Sequence, residues 1–167
     1  ARTSPELTLG VGAFNVAQQQ LILDELERLR REDESLESFF ARNEDKPEPF
    51  FVKNLETIQG DERDVILLSI GYGRPGPGER LSMNFGPLNK DGGWRRLNVL
   101  VTRARRRCEV FTSVLGDAFD SAATAARGPH ALRHYLDFAR EGGLLRRDAA
   151  GDPLASPFEQ AVYNALH

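Results

Sequence analysis

The sequence predicts an α/β fold in which a mostly parallel sheet is flanked by helices. Three observations carry this prediction. Strand-like and helix-like segments alternate along the chain, as a parallel sheet requires, because each strand must return by a crossover. Residues 65–70 form an apolar run rather than an alternation, so that strand is central and buried on both faces. Clusters of Gly and Pro separate the periodic segments, marking turns and loops between elements. At 167 residues the chain is long enough to bury a hydrophobic core of one ordinary domain.

The elements follow in order. Residues 7–14 read as a strand, since Leu7, Leu9, Val11 and Ala13 alternate. Asn15 then suits a helix N-cap, with Gln18 three residues later as its capping-box partner. The helix runs to about Arg31, with Ile22, Leu26 and Leu29 facing inward. Residues 32–48 are mostly acidic and hold a short helix over 36–40, which Pro47 and Pro49 end. Residues 50–53 are a short strand, residues 55–63 a turn, and residues 65–70 the central strand. Residues 71–93, rich in Gly and Pro, read as a long loop, a length that is often functional. A helix runs from Gly93 to about Arg105, with Leu97, Val101 and Ala104 on one side and Leu100 adjacent. Residues 108–114 are another strand. Gly128 and Pro129 introduce a last full helix over 130–140, with Leu132, Tyr135, Leu136 and Ala139 inward. Residues 1–141 thus read as one domain, residues 142–157 as a linker, and residues 158–167 as the start of a further helix or of a truncated domain.

Composition narrows the function classes. No apolar run approaches the roughly 20 residues that cross a bilayer, so no membrane partner is expected. The first residues show neither a signal pattern nor a Met, which reads as a piece of a longer, cytoplasmic protein. The single Cys108 excludes an internal disulfide and a cysteine-based zinc site, and reads as a small hydrophobe on a strand. His130 and His134 sit four positions apart without a third ligand nearby, so they read as surface histidines and no metal site is predicted. The net charge of −3 does not announce a nucleic-acid binder. The distribution says more: Lys occurs only at 46, 53 and 90, and Arg is concentrated over 95–107. The guanidinium fork binds phosphate through two parallel hydrogen bonds, which an ammonium cannot do.

On a helix reaching Arg105, Arg96 and Arg103 return to nearly the same angular position, roughly 10 Å apart along the axis. Such an edge suits a polyphosphate, but amphipathic helices with two Arg are common, and geometry alone favours an ordinary solvated helix face. The string Arg95-Arg96-Leu97-Asn98-Val99-Leu100-Val101-Thr102-Arg103-Ala104-Arg105 closely resembles motif VI of superfamily 1 helicases, most of all the branch of the nonsense-mediated-decay RNA helicase and its DNA-helicase relatives. Leu100 stands where that family usually has Ala. The segment Val52-Lys53-Asn54-Leu55-Glu56-Thr57-Ile58-Gln59-Gly60-Asp61-Glu62 resembles motif V of the same family. Gly10-Val11-Gly12-Ala13-Phe14-Asn15-Val16-Ala17-Gln18 resembles motif IV, with Phe14-Asn15 in place of the usual Pro-Tyr pair. The matches run in family order and cover about residues 7–114.

The resemblance implies a RecA-like domain, the second of two in an ATP-dependent helicase or translocase, and a bacterial source. It implies that Arg103 is the arginine finger reaching the γ-phosphate of ATP. It implies that Glu62 bonds the ribose, that Gln59, Gly60 and Arg96 line the ATP cleft, and that Asn54, Thr57 and Thr102 contact a single strand of DNA or RNA. Gln18 either faces the nucleotide cleft or caps its helix. The chain holds no phosphate loop of the form Gly-x-x-x-x-Gly-Lys-Ser/Thr. ATP and Mg2+ are therefore expected to be bound mainly by an upstream RecA-like domain of the same chain, and the isolated chain is expected to be inactive. Two other readings are a non-catalytic nucleic-acid or partner-binding module on a helicase-like fold, and the helicase part of a helicase-nuclease. The second draws on residues 156–166, which faintly resemble the opening helix of a nuclease-like domain that would lie downstream.

Overall fold

The apolar run that predicted a central strand forms β3 (Arg63–Ile70) in the computed structural model, which describes residues 6–140. It lies between β1 (Leu9–Ala13) and β4 (Ala104–Thr112), and β2 (Phe51–Asn54) pairs with the far side of β1. All three pairings are parallel, so the order is β2-β1-β3-β4. Ala13 is level with Asn54 on one neighbour and Ser69 on the other, while Arg63 is level with Ala104. The carboxyl edge of the sheet thus carries Ala13, Asn54 and Ser69, and the amino edge carries Arg63 and Ala104. Arg63 and Ser69 are six positions apart on β3, about 20 Å at the rise of a parallel strand. Ile66 and Leu68 are fully buried, as the run required.

Helix α1 (Val16–Glu32) starts where its cap predicts: the Asn15 side chain accepts from the Gln18 amide at 2.8 Å. No residue of α1 is fully buried, however. Ile22 and Leu26 are half-buried and Leu29 is exposed, as are Val16, Leu21 and Leu23. The inward stripe is therefore only partly covered. The outer face is laced by Arg28 with Glu25 and Glu32 and by Arg31 with Glu27, exposed pairs that contribute little to stability. The acidic stretch holds a single 3-10 turn (Glu34–Leu36) and then α2 (Glu37–Glu44), longer than predicted because Phe39, Phe40 and Phe50 meet edge to face at 5.3–5.8 Å.

The largest departure is at the Arg-rich segment. Helix α3 (Gly93–Val101) stops four residues short of Arg105, and β4 begins at Ala104 instead of 108. The Arg63 amide donates to the Arg103 carbonyl at 3.1 Å, and the ladder with β3 starts there. The Thr102 hydroxyl folds back onto the carbonyls of Asn98 (2.9 Å) and Val99 (3.1 Å), satisfying groups that a helix end leaves open. Arg103 lies outside the helix, so the seven-residue helical spacing does not relate it to Arg96.

The described residues fall into two compact units. One is the chain up to Gly71 together with Asn98–Thr112, and it contains the whole sheet; the other is Tyr72–Leu97 together with the chain from Ser113. In the second unit the predicted loop carries a core of its own. Leu81, Phe85 and Leu88 are buried, Phe85 stacks on Phe119 at 5.1 Å, and a 3-10 turn spans Gly86–Asn89. Helix α4 (Arg127–Arg140) starts three residues earlier than predicted, with Pro129 in its first turn, where a missing N–H costs nothing. Gly128 is required there, since a Cβ would stand 1.9 Å from the Leu88 carbonyl oxygen. Leu132, Tyr135 and Leu136 face inward as predicted, and Ala139 is half-buried. The predicted linker (142–157) and final helix (158–167) lie outside the described residues. No helix among the described residues is long and apolar enough to cross a membrane.

Candidate functional site

The sheet's amino edge gathers the candidate catalytic groups. Glu62 immediately precedes β3, and Arg103 immediately precedes β4. The ladder bond from the Arg63 amide to the Arg103 carbonyl joins these two entry points. As a result the Arg103 guanidinium lies 3.6 Å from the Glu62 carboxylate, although the residues are 41 positions apart in sequence. Arg103 Nε donates to the Val99 carbonyl at 2.8 Å, and Nη2 donates to the Thr102 hydroxyl at 3.1 Å. These bonds fix the root of the side chain and orient the guanidinium.

Gln59, Gly60 and Glu62 are exposed in the turn that leads into β3. Gly60 has φ of +88°, a left-handed conformation that residues with a Cβ rarely adopt. The turn borders a groove of about 460 Å³ lined by Phe51, Lys53, Gly60, Glu62, Arg63 and Arg105. Lys53 pairs with Asp61 across it at 2.5 Å. Three cationic and three acidic side chains line the groove, Glu48, Asp61 and Glu62 being the acids. A second cavity of about 670 Å³, lined in part by Arg74, Arg80, Asp117 and Phe119, lies within the other unit and includes none of the predicted residues.

The remaining predicted residues stand elsewhere. Gln18 is at the carboxyl edge, about 20 Å from Glu62 by strand rise, where its Nε2 donates to the Ser69 hydroxyl at 2.8 Å. Its Oε1 accepts from the Phe14 amide at 3.2 Å. Both ends of the amide are engaged, and the side chain acts as a cap one residue offset from a standard capping box. Asn54 is buried at the same edge. Its carboxamide oxygen accepts from the amides of Glu56 and Thr57, and its nitrogen donates to Gln19 Oε1 at 2.6 Å. This Asx turn holds the exposed Thr57 in place. Thr102 is at the amino edge beside Arg103, so the three expected strand contacts are not brought together. Arg96, in the second unit, donates to the Pro87 carbonyl at 3.4 Å. Among the described residues, no group of three His, Cys, Asp or Glu side chains is placed to hold a metal ion.

Sequence reasoning missed two features. Arg63 stands among the acids of the turn in sequence, yet its guanidinium is buried and bonded to carbonyls. Asp61 takes Lys53, and Asp64 takes Arg105 and Arg106. The available signal is a lone arginine at the head of an apolar strand. The second feature is the cluster of Thr8, Glu48, Asp64 and Arg105. Hydrogen bonds from the Thr8 amide and hydroxyl, then the Arg105 charge, hold the Asp64 carboxyl below the usual carboxylate range. Hydrogen bonds from Arg105 lower Glu48 in the same way. A depressed carboxyl stabilises the fold above its unfolded pKa, near 4, and that contribution is lost as pH falls through the lower folded value. Asp64→Asn should therefore lower the melting temperature at pH 7 and flatten its decline from pH 4 downward. Thermal unfolding between pH 7 and pH 3 checks this; an unchanged acid slope would show that the cluster does not report on folding.

An AAA domain family model matches residues 2–115, which include the whole sheet and the helix before β4. The chain is similar to an uncharacterized ATP-dependent helicase of Mycoplasma genitalium, 38% identical over 131 residues, covering 77% of this chain and 11% of that protein. It is also similar to the Mycoplasma pneumoniae homologue of that helicase, 41% identical over 86 residues, covering 52% of this chain and 7% of that protein. The chain thus spans about a tenth or less of the length of these relatives.

Proposed function

The chain belongs to the AAA domain family, in the RecA-like form that closes superfamily 1 helicases, and we propose that it is the second motor domain of a bacterial ATP-dependent helicase or translocase. The observation that carries the proposal is the meeting of Glu62 and Arg103 at one edge of the sheet. Two groups expected to touch the same nucleotide, one at its ribose and one at its γ-phosphate, converge from separate segments. In this reading the amino edge forms one wall of an ATP cleft, with Gln59 and Gly60 beside the groove. The upstream domain of the same chain supplies the phosphate loop, the Mg2+ ligands and the other wall.

ATP draws the two domains together and brings Arg103 onto the γ-phosphate. There the guanidinium stabilises the charge that builds on the transferring phosphoryl group. Hydrolysis removes the group that Arg103 grips, and the domains separate, which turns chemistry into stepping along a strand. The strand lies across the opposite, carboxyl edge. Thr57 and the turn that Asn54 braces contact its backbone, which positions the strand without reading sequence. Gln18 serves this edge by fixing the start of α1. Full-length parent protein mixed with ATP and Mg2+ tests the proposal: phosphate release rises on addition of single-stranded DNA or RNA. Release that is absent with either strand would favour a binding module that keeps the fold without the motor.

A further inference from the structure

We infer that Arg63 is a positioning residue for the nucleotide edge, holding Glu62 and the Arg103 turn in fixed relation to each other. This rests on the reading of Glu62 as the ribose contact and Arg103 as the finger. Arg63 is only 6% exposed, and a buried charge is costly unless its donors are used. Its Nε and Nη2 donate to the Pro49 carbonyl at 2.9 and 2.6 Å, and its Nη1 donates to the Glu62 carbonyl at 2.6 Å. The guanidinium lies over the Phe51 ring, 4.7 Å from its centroid. Among the described residues it makes no ion pair, because the neighbouring acids are taken by Lys53, Arg105 and Arg106.

The main chain of the same residue donates to the Arg103 carbonyl. Arg63 is thus bonded through its side chain to Glu62 and through its backbone to Arg103. It also ties both to Pro49, at the entry to β2. Filling this space needs no charge, since an apolar side chain of similar size stabilises a core as well or better. A planar fork stacked on a ring is what spans two carbonyls from separate segments, and an ammonium cannot reproduce it. The arrangement therefore serves geometry: it sets where the Glu62 backbone sits relative to the root of the finger.

The test uses the full-length parent protein and the ratio of kcat/KM for ATP to that for 2′-deoxy-ATP and 3′-deoxy-ATP. Arg63→Lys and Arg63→Gln are expected to reduce the preference for the intact ribose by about tenfold, the size of one lost charged hydrogen bond. Phe51→Leu leaves the guanidinium but removes the ring beneath it, and is expected to shift the preference in the same direction by less. In a Glu62→Gln background, which itself lowers the preference, Arg63→Lys adds nothing further, because the two act on one contact. A merely structural role would lower the melting temperature and the active fraction while leaving sugar preference intact. Folded Arg63 variants with unchanged preference would overturn the inference while Glu62→Gln still shifts it. If Glu62→Gln leaves the preference unchanged, the ribose reading itself fails.

Discussion

Replacing Arg103 with Ala in the full-length parent is expected to lower strand-stimulated ATP turnover by about 10³–10⁵-fold, the range of arginine fingers, while strand binding stays near that of the parent. The size follows from what an arginine finger does. A guanidinium in that role adds positive charge where negative charge develops and leaves the ground state almost untouched, so its loss would appear in kcat. The selectivity follows from the sheet. Arg103 enters at the amino edge with Arg63, and Thr57 sits with Asn54 at the carboxyl edge, about 20 Å away by strand rise. Cutting the side chain back to Cβ also removes the Nε bond to Val99 and the ion pair with Glu62. The ion pair is long and its Glu62 partner is half-exposed, so a circular-dichroism spectrum and melting temperature of the variant are measured alongside, to show that the loss of turnover is not a loss of fold. Phosphate release and strand titration on the same preparation measure both effects, and near-normal turnover would refute the finger.

The second large effect is an absence. The purified 167-residue chain is expected to release phosphate from ATP no faster than buffer. It has no phosphate loop, and its described residues hold no cluster of three metal-ligating side chains. A finger stabilises a transition state only when the phosphates are already cradled and in line. Adding the separately purified upstream domain is expected to restore part of the turnover, in proportion to the weak affinity of two unlinked halves. Turnover by the chain alone that disappears with Arg103→Ala would show that this edge binds and hydrolyses ATP unaided.

Much of the architecture was legible because its causes are local. The capping of α1 by Asn15 and Gln18 is set within four residues. The central position of β3 follows from an apolar run that only a doubly covered strand tolerates. The inward face of α4 follows from helical spacing. The site was legible in part for a different reason: the strings around Glu62 and Arg103 carry a family pattern. Nothing in their spacing brings those two residues together.

The sequence by itself determined the alternation of elements, the parallel α/β class and the two segments that carry the family resemblance. Tertiary structure alone decided where the helix before Arg103 ends, that Gln18 and Thr102 stand at opposite edges, and that the Arg63 guanidinium is buried and bonded to main-chain carbonyls. The physical reason is the same in each case. A helix continues past Val101 as readily as it stops, until the Arg63 amide offers the Arg103 carbonyl a place in the sheet. An arginine in an acidic turn pairs with its neighbours unless a distant carbonyl and a ring, here those of Pro49 and Phe51, compete for it. Hydrogen bonds between residues far apart in sequence settle these choices, and no local pattern records them.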